Sequence, residues 1–171
     1  MKKFDEKKYE LSFGKVVFLY IFYFLIMTVG ITVLAVVLCN DYANSTTKDI
    51  LAKTIYASLS SSGMLCSIKY IKKLYKACIN LRVVTNENSI RQLGNLAYFI
   101  FRPLFSCAFA VIAIAALLSG LFIVTGGLDY IINEKFLFLC IIVSSIIGFS
   151  TGTLLEKFES LSEKTINKLE E

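Results

Sequence analysis

Apolar residues fall in long unbroken blocks along this chain, with polar residues filling the gaps. The first block, Val16 to Cys39 (VVFLYIFYFLIMTVGITVLAVVLC), carries no charged side chain, and neither do Leu104 to Thr125 and Phe136 to Leu155. A helix that crosses the hydrocarbon core of a bilayer needs roughly 20 apolar residues. Each block reaches that length, so the pattern predicts three membrane-spanning helices. A fourth stretch, Ile50 to Ile68, is weaker because Lys53 and several serines and threonines dilute it.

Charge placement decides that fourth stretch. Lys and Arg collect on the cytoplasmic side of membrane proteins. If Ile50 to Ile68 spans, all but Lys48, Lys53 and Lys135 of the 18 basic residues lie on the side of the N-terminus. If it does not, Lys69, Lys72, Lys73, Lys76, Arg82, Arg91 and Arg102 move to the outer side. The expected architecture is therefore an all-α integral membrane protein with four transmembrane helices, at about 16–39, 50–68, 104–125 and 136–155. Residues 1–15, a loop at 69–103 and a tail at 156–171 are cytoplasmic. The expected location is the cell inner membrane, multi-pass, with both termini cytoplasmic. The first block is too long for a secretion signal, and Asn40, Asp41 and Tyr42 do not form a small-residue cleavage site. It reads as an uncleaved anchor.

The segment CSIKYIKKLYKACI follows the second span as an amphipathic cytoplasmic extension. Lys69, Lys72, Lys73 and Lys76 share one helix face, while Ile68, Ile71, Leu74, Tyr75, Cys78 and Ile79 fall largely on the other. Such a stripe locks topology, reaches anionic lipid phosphates, or serves as a docking surface or hinge for a cytosolic partner. Direct nucleic acid binding is not expected of it. Arg102 and Pro103 are placed at the inner boundary of the third span, with the proline in the helix's first turn. The tail (EKFESLSEKTINKLEE) sets Phe158, Leu161, Ile166 and Leu169 at roughly helical spacing, as a short partner helix or a solvated end.

Small residues recur at four-residue steps within the blocks: Ser144, Gly148 and Gly152, then Ala116 and Gly120, then Ala57 with Ser61 and Ser58 with Ser62. In lipid, small residues at that spacing let helix backbones approach closely. They predict a tightly packed bundle, within one chain or between copies in a homo-oligomer.

Composition agrees with the class: 56% of residues are hydrophobic and 18% charged, and the mean hydropathy is +0.68. The chemistry of enzymes is absent. The sequence has no histidine and five cysteines, with no C-x-x-C pair among them. No phosphate-cradling glycine loop, acid pair or serine nucleophile signature occurs. No catalytic residue, cofactor or metal is expected, and the cysteines read as small apolar residues. Lys53 lies within reach of the outer boundary, and no acidic residue lies within a span to relay protons or bind sodium.

The pattern ASLSSSGML, then CSIKYIKKLYKACI, then YFIFRPLFS resembles small bacterial membrane proteins of antiphage operons, most of all the effectors that accompany some retrons. It covers roughly residues 55 to 125 and is carried by Ser62, Gly63, Tyr70, Lys73, Leu74, Tyr75, Arg102, Pro103 and Gly120. The resemblance implies a toxin-like effector of abortive infection that damages the inner membrane. It also implies a cytosolic regulator, a reverse transcriptase with its RNA–DNA hybrid, that restrains the effector. The other class left open is a non-catalytic membrane anchor, or a small transporter or regulatory subunit for a cytosolic partner.

Overall fold

The computed structural model describes residues 9–39, 45–79, 83–84, 89–125 and 132–169. The expected cytoplasmic start (1–8), parts of the outer loops (40–44 and 126–131), the loop residues 80–82 and 85–88 and the last two residues lie outside them. Among the described residues four helices carry the fold: α1 Phe13–Cys39, α2 Thr47–Ile79, α3 Ser89–Thr125 and α4 Glu134–Leu169. Two short strands, β1 Tyr9–Glu10 and β2 Val83–Val84, pair in parallel, with Tyr9 opposite Val83. This pairing ties the entry to α1 to the connection between α2 and α3.

The protein is all-α, and among the described residues three helical stretches are long and apolar enough to cross a membrane: Phe13–Cys39, Ile90–Gly120 and Glu134–Phe158. They mark a membrane protein. Their outward side chains are the large apolar ones, such as Phe24, Leu25 and Val29 on α1, Ile112 on α3 and Ile146 on α4. An apolar surface of this breadth is suited to lipid and not to water.

The helices run up, down, up, down. Val37 of α1 packs with Ala57 of α2, and Tyr23 of α1 stacks on Tyr70 of α2, so α1 and α2 are antiparallel. Ser62 and Tyr70 of α2 meet Ser106 and Phe99 of α3, again in antiparallel order. Ser61 and Lys69 meet Ile141 and Phe149 of α4 in parallel order. All three neighbours therefore pack on α2. Its composition follows from that position. Thr54, Ala57, Ser58, Ser61, Ser62, Gly63, Cys66 and Ser67 are buried against protein, so small polar side chains stand where a lipid-facing helix would carry leucine. This is why α2 falls below the apolarity of the other three.

Each helix entry has a local cause. The carbonyl of Ser12 accepts the Val16 amide at 3.1 Å. Thr46 and Asp49 form a reciprocal cap at the start of α2: the Thr46 amide and hydroxyl donate to the Asp49 carboxylate (3.1 and 2.7 Å), and the Asp49 amide donates to the Thr46 hydroxyl (3.3 Å). These bonds hold the Asp49 carboxyl below its usual range. Asn133 caps α4 by accepting the Phe136 amide at 3.0 Å.

The helices outrun the apolar blocks. The 33 residues of α2 reach ~50 Å against a hydrocarbon core of ~30 Å. The expected loop at 69–103 is helical up to Ile79 and again from Ser89. Pro103 is therefore corrected from the first turn of the third helix to the interior of α3. Hydropathy marks the part of a helix that faces lipid, and polar residues such as Arg91, Gln92 and Asn95 continue the same helix beyond it. The tail likewise continues α4 without a break to Leu169.

Candidate functional site

Proline inside a helix removes one backbone donor, so the carbonyl four residues earlier loses its partner. For Pro103 that carbonyl belongs to Phe99. The buried Tyr23 hydroxyl of α1 donates to it at 2.6 Å. Tyr23 thus replaces the missing amide, and its ring nucleates an aromatic cluster. Tyr23 stacks on Tyr70 at 6.3 Å between centroids, Tyr70 meets Phe99 edge-on at 6.1 Å, and Phe99 packs on Tyr98 and Tyr9 at 5.4 Å. The cluster joins β1, α1, α2 and α3 at one end of the bundle, next to buried Leu11, Leu19, Cys66 and Leu74.

The basic residues gather at this end. Arg102 is only 8% exposed. Its guanidinium lies 4.2 Å from the Tyr98 ring centroid and 5.7 Å from that of Tyr70, within cation–π range. Lys73 donates to the Tyr98 hydroxyl at 3.0 Å and sits 5.2 Å from the Tyr98 ring centroid. Burial works against the Lys73 ammonium, but the bond to Tyr98 and the nearby Tyr9 outweigh it, and its pKa is held above the usual lysine value. Lys69 donates to the Phe149 carbonyl of α4 at 2.6 Å. Lys15 donates to Gln92 at 2.8 Å, joining α1 to α3.

The lysine stripe is thus divided. Lys69 and Lys73 are half-buried and bonded within the bundle, while Lys72 and Lys76 are exposed. All four line one cavity of about 320 Å³, together with Tyr70, Tyr98, Gly152 and Glu156. The spacing of the lysines placed them on one face; what α3 and α4 bring to that face was not visible in it. Nothing in the local sequence pattern marks Tyr98, Phe99 and Tyr23 as site residues. The signal that could have found them was Pro103, whose place inside a helix demands a donor for the Phe99 carbonyl.

The small residues proposed for packing divide as well. A Cβ on Gly148 would lie 2.9 Å from both the carbonyl carbon and Cα of Ser62. Ser144 and Gly152 are buried on the same side of α4. Ala116 and Gly120 are exposed, and nothing lies within 4 Å of a Cβ on Gly120. A close approach the spacing did not single out lies at Gly30, whose Cβ would meet the Ser60 carbonyl at 3.0 Å.

A strip of hydroxyls leads from the opposite end of α2 to this site. Thr54, Ser58, Ser61 and Ser62 are at most 1% exposed. Thr54 and Ser61 bond back to the Ile50 and Ser58 carbonyls of their own helix. The hydroxyls of Ser62 and Ser106 lie 2.6 Å apart and tie α2 to α3. Among the described residues, three buried polar side-chain atoms have no hydrogen-bond partner: Ser58 Oγ, Ser144 Oγ and Arg102 Nη1. No group of three metal-ligating side chains occurs among the described residues. No family model, curated protein or solved structure matches the chain.

Proposed function

We propose that the chain is a four-span protein of the cell inner membrane, with both termini on the basic, cytoplasmic side, and that it acts on the bilayer itself. In this reading it is a membrane effector of an antiphage, retron-type system that depolarises the membrane when a cytosolic regulator releases it. Four spans are supported by the register of α2 with α1. The two pack from Val37 and Ala57 at one end to Tyr23 and Tyr70 at the other, so α2 shares the depth of a helix apolar enough to cross. The clustering of Lys15, Lys69, Lys73 and Arg102 at one end supports the orientation.

One observation favours an effector over a passive anchor: the buried hydroxyl strip with its unpartnered Ser58 and Ser144 oxygens. Polar groups left unpaired inside a membrane protein are costly, and they concentrate where ions or water pass. The opposite reading, an anchor or regulatory subunit, draws on the exposed ammonium groups of Lys72 and Lys76 as a docking surface.

Inducible expression in a bacterial host, followed with a membrane-potential dye, separates these readings. Wild type should collapse the potential and arrest growth, and co-expression of a reverse transcriptase regulator with its RNA–DNA hybrid should restore both. The Ser58→Ala, Ser144→Ala double variant should insert normally and leak less. A protein that inserts without depolarising the cell is an anchor.

Topology is checked separately, in a background lacking the native cysteines. Cysteine at Lys48 or Lys135 should label with an impermeant thiol reagent in intact cells, and cysteine at Leu93 or Ser160 should not. Labelling at Leu93 from outside would remove the second span.

A further inference from the structure

Four lysines line the cavity at the basic end, together with Tyr70, Tyr98, Thr153 and Glu156. A lysine ammonium offers three N–H groups and an arginine guanidinium five, and neither accepts. Lys69 bonds to the Phe149 carbonyl and Lys73 to the Tyr98 hydroxyl with Tyr9 nearby, which leaves a further N–H group on each. Arg102 is nine-tenths buried, and its Nη1 has no hydrogen-bond partner. A buried cation with an unpaired N–H group is unfavourable. Glu156 lines the cavity but is exposed.

Gly152 lets these donors come close to the α4 backbone. A Cβ there would lie 2.9 Å from the Tyr70 hydroxyl, 3.7 Å from Lys69 Nζ and 4.0 Å from Arg102 Nη1. Donors from α2 and α3 thus converge on a position of α4 that has no side chain. An anion rich in acceptor oxygens suits such a site, and a phosphate group offers more of them than a carboxylate does. We infer that this cavity binds a phosphate-bearing anion, with Lys69 and Lys73 around the phosphate, Lys72 and Lys76 at the mouth and the buried Arg102 charge behind Gly152. Basic pockets between membrane helices hold lipid head groups in this manner, and a soluble phosphorylated compound presents the same oxygens. The site stands apart from the effector reading, because binding is measured without any activity.

The test uses the full chain, purified and delipidated in detergent, with thermal unfolding followed during titration. One arm adds phosphatidylglycerol against phosphatidylcholine; the other adds inorganic phosphate against chloride at equal ionic strength. Stabilisation by phosphatidylglycerol alone assigns the site to a lipid head group, and stabilisation by phosphate assigns it to a soluble anion. Arg102→Gln and Gly152→Ala should each weaken the binding about tenfold or more, and Lys135→Gln, at the far end, should leave it unchanged. Should Arg102→Gln fail to fold, Lys69→Gln serves in its place. No stabilisation beyond the chloride and phosphatidylcholine controls overturns the inference, as does wild-type affinity in the glycine and basic-residue variants.

Discussion

Gly148→Ile should prevent the bundle from closing. A Cβ at this position would sit 2.9 Å from the Ser62 carbonyl carbon and Cα, and backbone cannot rotate out of the way as a side chain can. α4 would have to move away from α2, giving up the Lys69 bond to the Phe149 carbonyl and the cleft beside Gly152. Overpacking costs about 1–3 kcal/mol where side chains yield, and more where they cannot. A loss of about 3 kcal/mol corresponds to a fall of roughly 10 °C in unfolding temperature for a chain of this size. The matched control is Gly120→Ala. Nothing lies within 4 Å of a Cβ there, so the change should be neutral, or stabilising by up to about 1 kcal/mol through helix propensity. Thermal unfolding and size-exclusion profiles in detergent read both variants. If Gly148→Ile melts with wild type, α2 and α4 do not touch at Ser62.

That pair of glycines also shows how far the sequence could be read. Gly148 and Gly120 share the same small-residue spacing, yet one lies on the α2 backbone and the other on an exposed face. Spacing says which residues share a face, and only the partner helix decides which face is covered. The uncharged blocks located α1 and the apolar parts of α3 and α4 because lipid selects for apolar side chains at every turn. The same reasoning undervalued α2, whose neighbours are protein. There Ser58, Ser61 and Ser62 fit because they are small, and the Ser62 hydroxyl finds its partner on Ser106. The aromatic cluster was out of reach for another reason. Tyr9, Tyr23, Tyr70 and Tyr98 belong to four separate elements, and no local pattern brings them together.

The two ends of α2 consequently have different characters. Its start is fixed by the local cap of Thr46 and Asp49. Its basic end is held by contacts from every other helix: Tyr23 of α1, Tyr98 of α3 and Phe149 of α4. A change at that end is therefore felt by the whole bundle.

Tyr23→Phe is expected to show this most clearly, since it removes one oxygen and leaves the ring. Tyr23 is fully buried and its hydroxyl donates to the Phe99 carbonyl at 2.6 Å. Without that hydroxyl the carbonyl has neither the tyrosine nor the backbone amide that Pro103 lacks. An orphaned buried acceptor costs roughly 1–3 kcal/mol. Pro103→Ala supplies an amide four residues beyond Phe99, in the position of an ordinary helical donor. In that background Tyr23→Phe should cost much less, giving a coupling energy of about 1–2 kcal/mol in a double-mutant cycle read by unfolding in detergent. Equal cost in both backgrounds would mean that the hydroxyl does not substitute for the proline's missing donor. A strong coupling would place Tyr23 and Pro103 in one device. α1 then supplies the bond that lets α3 continue through its proline, and the turn that carries Tyr98, Phe99 and Arg102 is held against α2.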